Sequence, residues 1–222
     1  MSQYYTRPEK FPPAIKYLIS INVVIWLAQL YFDHRFPPVL TTGEPIGYLT
    51  AKLALWPIGD GFKPLQLITH MFAHAAEGSQ MYFHILFNMF TLWMFGRILE
   101  NVWGTKRFLI FYFICGIGAA ILHLAVQYYS GQGSIAVGAS GAVMGVLVAF
   151  AMLFPNTELY IMFIPIPIKA KWAILGLIAI DLFGGVYQAS GDGIAHYAHL
   201  GGAITGFILL KLWNKINRKT LY

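Results

Sequence analysis

Apolar residues along this chain gather into six long runs, at about 14–32, 82–103, 107–128, 135–154, 169–187 and 195–213. Each is long enough, or nearly so, to cross ~30 Å of hydrocarbon as an α-helix. The pattern therefore predicts six membrane helices in one domain over 14–213. The first run is followed by Asp33-His34-Arg35 rather than by a small-residue cleavage site, so it reads as a retained helix. The stretch 34–81 is too long and too mixed to be a tight connection. It holds Pro37, Pro38, Gly43, Pro45, Gly47, Gly59, Gly61 and Pro64, yet also Trp56, Phe62, Met71 and Phe72. That mixture suits a large first loop embedded at the membrane interface. Residues 1–13 form a polar N-terminal segment and 214–222 a basic tail.

Composition agrees with a bilayer as the solvent. Of 222 residues, 58% are hydrophobic and 11% charged, against about 25% charged in a soluble domain. The mean hydropathy is +0.61. A net charge of +6 would suggest nucleic acid in a soluble protein, but here it follows topology and predicts no nucleic-acid partner. With the N-terminus in the cytoplasm, twelve of the 15 lysines and arginines fall inside, and only Arg35, Lys52 and Lys63 fall outside. This asymmetry puts both termini in the cytoplasm. The expected location is integral and multi-pass, in a bacterial inner membrane. Cys115 is the lone cysteine and can form no disulfide within the chain.

In this topology helices two, four and six all begin at the outer face, and each carries polar residues near its start. His84 and Asn88 are four apart on helix two and share one face. Ser140 stands in Gly138-Ala139-Ser140-Gly141 on helix four, and His199 in Ala198-His199-Leu200-Gly201-Gly202 on helix six. Singly, each has a bland reading: a serine bonding its own helix, a histidine anchoring at the interface, an asparagine gluing helices. Together, at one depth, they supply what acyl transfer needs. A serine hydroxyl is a weak nucleophile until a base takes its proton, and neutral imidazole can do so near pH 7. The charge developing on the attacked carbonyl needs donors, for which His84, Asn88 and the Ser140 amide are candidates. Gly138 and Gly141 permit close backbone approach. A helix four beginning at Ser140 would be short and would sink its N-terminus into a buried, wet pocket.

No carboxylate stands in sequence where it would orient His199. Asp181 lies in helix five and Asp192 in the following loop, so a Ser140–His199 dyad is expected, with the ring held by packing. Asp181 is an odd residue for a membrane helix and should face a cavity or another helix. His70, His74, His84, His196 and His199 invite a metal reading, but no HExxH is present and no carboxylate sits at ligand spacing. No metal and no cofactor is expected. His196 reads as rim, His123 as a core histidine, and Arg97–Glu100 as a structural i,i+3 pair.

These stretches resemble the rhomboid family of intramembrane proteases. His84-Ile85-Leu86-Phe87-Asn88 looks like its histidine–asparagine motif, and Gly96, Glu100 and Gly104 look like its GxxxExxxG. Gly138-Ala139-Ser140-Gly141 looks like its GxSG, and Ala198–Gly202 with Gly206 looks like its final-helix motif. With Pro64–Thr69, the resemblance covers about Phe62–Gly206. It implies an all-α, six-transmembrane-helix rhomboid bundle with a short central helix four and a membrane-embedded first loop. It implies Ser140–His199 catalysis, an oxyanion hole of His84, Asn88 and Ser140, and structural support from Gly138, Gly141, Gly202 and Gly206. Its partners would be single-pass transmembrane protein substrates, cut near their outer ends, and membrane lipid. Residues 188–195 would cap the site. Two positions depart from the family pattern: Leu65-Gln66 replaces a common Trp-Arg, and Met144 replaces a tyrosine. An alternative of the same fold is a catalytically inactive protein that binds or escorts membrane helices. A small transporter would need an inverted repeat, and none is convincing.

Overall fold

The computed structural model describes residues 8–40, 45–78, 81–131, 133–160, 166–187 and 196–216. The cap expected at 188–195 and the end of the basic tail lie outside them. Helix α1 is Pro13–Arg35. Inside the first loop, α2 (Tyr48–Leu53), α3 (Gln66–Thr69) and a 3-10 turn at His70–Phe72 are short. Helices α4 (Met81–Thr91) and α5 (Arg97–Trp103) form one run joined by a π turn at Leu92–Gly96. Then follow α6 (Thr105–Ser130), α7 (Ser140–Leu153), α8 (Ala170–Tyr187) and α9 (His196–Ile216). Two-residue strands, Glu158–Leu159 and Ile168–Lys169, pair antiparallel between α7 and α8.

This is an all-α membrane fold. Among the described residues, α1 and α6 are by themselves long and apolar enough to cross a bilayer. Large apolar side chains stand exposed along other helices: Phe83, Leu86, Phe87 and Phe90 on α4, Leu175, Ile180 and Phe183 on α8, Phe207 and Ile208 on α9. Bands of this extent would be a liability in water and are the natural surface in lipid.

Helix α7 is apolar all round, and every residue from Gly141 to Phe150 is buried. Such a helix belongs at the centre of a bundle. The run expected over 135–154 is helical only from Ser140; before it, Ala136 bridges to Leu55 and Gly138 takes a positive φ. Fourteen residues reach about 21 Å, well short of the hydrocarbon thickness. Helices α6, α7 and α9 close on one another through small residues. A Cβ on Gly202 would collide with the carbonyl oxygen of Gly141. One on Gly206 would lie 2.9 Å from Gly145 Cα, and one on Gly201 would lie 2.9 Å from Ala119 Cα. Apolar side chains gain little by leaving lipid for protein, so close backbone approach supplies the dispersion that holds such helices together.

The expected Arg97–Glu100 pair is not what these residues form. Glu100 is buried, and its Oε1 accepts the Ala14 N–H at 2.8 Å and the Thr105 hydroxyl at 2.7 Å. Its Oε2 accepts the Ile15 N–H at 2.9 Å. The carboxylate thus satisfies orphan amides at the start of α1, where the helix dipole favours negative charge. The Arg97 guanidinium instead lies 4.3 Å over the Trp93 ring.

Candidate functional site

The strand of chain leading to Ser140 is held before the helix begins. Leu55 and Ala136 exchange both backbone hydrogen bonds, at 2.9 and 3.0 Å, and the Gly138 N–H donates to the His70 carbonyl at 2.9 Å. The first loop therefore grips the segment that delivers Ser140 to the first turn of α7. Gly138 sits at φ +126°, where a side chain would be strained. A Cβ there would also lie 2.9 Å from His84 Nε2 and 3.6 Å from Ser140 Oγ. His84 and Ser140 thus converge on one small space that glycine leaves open. No side chain caps α7, so its first amides keep their donor capacity at that space.

His84 is oriented by backbone. The Ala75 N–H donates to His84 Nδ1 at 3.1 Å. A neutral ring that accepts at Nδ1 carries its proton on Nε2, so the nitrogen beside Gly138 and Ser140 is a donor. Asn88 lies one turn along α4 and gives one amide hydrogen to the His84 carbonyl at 2.8 Å, leaving the other for a different acceptor.

The chain that holds Ala75 is fixed from α1 by residues whose role sequence reasoning missed. Gln29 is fully buried and clamps His74 at both backbone groups, donating to its carbonyl and accepting its N–H, each at 2.9 Å. Gln29 also donates to Thr50 Oγ1 at 2.7 Å. The Trp26 indole donates to the Ala75 carbonyl at 3.0 Å. Burial pushes the His74 imidazole down to about 3, so the ring is neutral. Its Nε2 bonds Asn22 Oδ1 at 2.9 Å, and the ring lies edge-on to His84 with centroids 5.2 Å apart. Asp33 accepts the Leu49 and Thr50 N–H groups and the Thr50 hydroxyl. Asn22, Trp26, Gln29 and Asp33 recur at helical spacing, so they form one polar stripe on an otherwise apolar helix. That periodicity was the available signal.

The surroundings of His199 correct one expectation. A carboxylate does stand at His199: its Nδ1 lies 2.9 Å from Asp181 Oδ1. The same oxygen lies 3.0 Å from His196 Nδ1, so His196 is not merely rim. The sequence hides this because α8 and α9 are separate helices, and only their packing brings residues 18 apart in the chain together. Gly141 meets the Ala198 carbonyl, with 3.3 Å to a Cβ built on it. Ser140 and His199 are the chain neighbours of that contact, and both stand in the first turns of their helices.

The remaining candidates fall in structural places. His70 is buried and its Nδ1 donates to the Gln66 carbonyl at 2.7 Å. Gln66 accepts the Lys63 N–H at 3.0 Å and the Trp56 N–H at 3.3 Å, which anchors the loop from within. His123 and Met144 are buried. Among the described residues, no three histidine, cysteine or acidic side chains are grouped to hold a metal ion.

A family model described as Rhomboid domain matches residues 62–215. The chain is 34% identical over 173 residues to RHOMBOID-like protein 6, mitochondrial, of Arabidopsis thaliana, covering 78% of this chain and 50% of that protein. It is 33% identical over 125 residues to Presenilin-associated rhomboid-like protein, mitochondrial, of Bos taurus, covering 56% and 33%. It is 26% identical over 220 residues to Rhomboid protease AarA of Providencia stuartii, covering 86% and 69%. The chain thus spans a third of the length of the bovine relative and half that of the plant one. Where these names give a location it is mitochondrial, which lends no support to the expected bacterial inner membrane.

Proposed function

The chain belongs to the rhomboid family, is an integral membrane protein, and on that footing we propose that it is an intramembrane serine endopeptidase. In this reading residues 14–213 form a protease domain that crosses the membrane six times, with both termini on the cytoplasmic side. Ser140 is the nucleophile and His199 the general base. The substrate is a single-pass transmembrane protein, cut near its outer end.

The carrying observation is the convergence of His84 Nε2 and Ser140 Oγ on the space left by Gly138. The Ser140 oxygen attacks the scissile carbonyl while its proton passes to His199. The carbonyl pair moves onto oxygen, and the resulting charge is met by His84 Nε2–H, the Asn88 amide and the Ser140 N–H. Collapse expels the amine, protonated by His199, and leaves an acyl-serine that water then hydrolyses.

The test is cleavage of a transmembrane reporter in liposomes by purified protein. Ser140→Ala and His199→Ala are each expected to abolish it, and a fluorophosphonate should label the parent but not Ser140→Ala. Retained cleavage by either variant in a pure preparation would falsify the reading. A parent that binds the reporter, cuts nothing and takes no label would instead be a helix-binding protein of the same fold.

A further inference from the structure

We propose that Asp181 is a positioning residue for His199. This rests on the reading of His199 as the base. Two ring nitrogens, His199 Nδ1 at 2.9 Å and His196 Nδ1 at 3.0 Å, address a single carboxylate oxygen. An ionised carboxylate only accepts, and one of its oxygens has two lone pairs. Both rings therefore present Nδ1–H to Asp181. In neutral His199 that leaves Nε2 with the lone pair, which is the tautomer a general base requires. Packing alone, as expected from the sequence, would fix the ring's position but not its tautomer.

The surroundings are built for this bond. The side chains of His199 and Asp181 are only 15% and 10% exposed, so little water competes for it. His196 and His199 are three apart and share the face of α9 turned toward α8. On α8, Gly184 follows Asp181 by three, and a Cβ there would collide with the His196 ring. The missing side chain lets that imidazole lie against α8 with its Nδ1 on the same carboxylate.

The consequence for the reaction is specific. When the Ser140 O–H bond breaks, its proton goes to His199 Nε2 and its electron pair to the new bond with the substrate carbonyl carbon. His199 becomes a cation hydrogen-bonded to an anion. Asp181 takes no proton; it stabilises the imidazolium as it forms and holds the ring in place. The benefit lies in the transition state rather than in substrate binding, so it is spent on kcat.

Asp181→Asn keeps the shape and removes the charge. In reporter cleavage its kcat should fall by roughly a hundredfold or more while KM stays within about twofold. Fluorophosphonate labelling of Ser140 should slow in step. His196→Ala removes the other ring from the same oxygen and should lower kcat far less. Cleavage by Asp181→Asn within about threefold of the parent overturns the proposal. So do equal losses in the two variants that track a common fall in thermal stability, since Asp181 would then only clamp α8 to α9. Should Asp181→Asn fail to fold, ¹⁵N-histidine NMR of the parent in bicelles decides, with His199 assigned by difference from His199→Gln. Its neutral ring should carry the proton on Nδ1; a proton on Nε2 overturns the assignment. If Ser140→Ala still cleaves, the underlying reading fails whatever Asp181 does. If Ser140→Ala is dead and Asp181→Asn is not, only the positioning role falls.

Discussion

The two flanks of the site are held by different forces. On one flank, α7 and α9 meet through glycine against backbone, at Gly141 with Gly202 and at Gly145 with Gly206. On the other, the chain around His74 and Ala75 is held by hydrogen bonds from Asn22, Trp26 and Gln29 on α1. The first flank bears Ser140 and His199, the proposed nucleophile and base, and the second bears His84, the proposed donor. Dispersion at backbone contact falls off within an ångström, so the glycine flank should fail abruptly. Hydrogen bonds are lost singly and can be replaced by water, so the polar flank should fail by degrees.

The sharpest way to break this contrast is at Gly202. A methyl group there runs into a carbonyl oxygen of α7, which cannot move aside as a side chain would. Gly202→Ala should destabilise by at least the ~1–3 kcal/mol typical of overpacking and should abolish reporter cleavage. Gly206→Ala, whose Cβ would lie 2.9 Å from Gly145 Cα, should be milder. Thermal melts in detergent alongside cleavage assays would rank the two. A Gly202→Ala protein of parental stability and activity would show that the α7–α9 seam tolerates separation.

The polar flank should respond less. Gln29→Ala removes both bonds to the His74 backbone and one to Thr50. Each group left unmatched costs up to about 1–3 kcal/mol, less where water replaces the lost bond. The loosened Ala75 N–H should also let His84 change tautomer, lowering kcat by roughly tenfold with KM little altered. Unchanged kcat in Gln29→Ala would mean that the grip on the first loop does not reach His84.

What the sequence discloses follows from the range of the forces involved. The positions of the long helices are legible because burial in lipid imposes long apolar runs, whereas the start of α7 at Ser140 is not, because the apolar run itself reaches back to about 135. Ser140, His84, Asn88 and His199 stand out because each is a polar residue near the start of an apolar run. Asp181 is conspicuous in the sequence but has no evident partner there, since the bond to His199 depends on how α8 and α9 rotate against each other. Asn22 and Gln29 are masked by the hydrophobicity of the run around them, although their seven-residue spacing marks one face. Proximity in sequence pairs Glu100 with Arg97, but the buried amides of α1, 86 residues away in the chain at Ala14, have the stronger claim on it.

Glu100 gives the smallest predicted effect and tests whether the two kinds of support act locally. It lies at the far end of the α4–α5 run from His84, about 24 Å away at helical rise. Glu100→Gln preserves size but replaces an anion that accepts three hydrogen bonds with an amide whose NH₂ must face one of those donors. Losing the charge at the start of α1 should cost about 1–2 kcal/mol, seen as a lower Tm in detergent. At a temperature where the variant is fully folded, kcat on the reporter should equal that of the parent, because the polar stripe holding the first loop lies further along α1. A fall in kcat without loss of folded protein would mean that α1 passes a disturbance from its start to Gln29, and that the His84 flank is not locally supported.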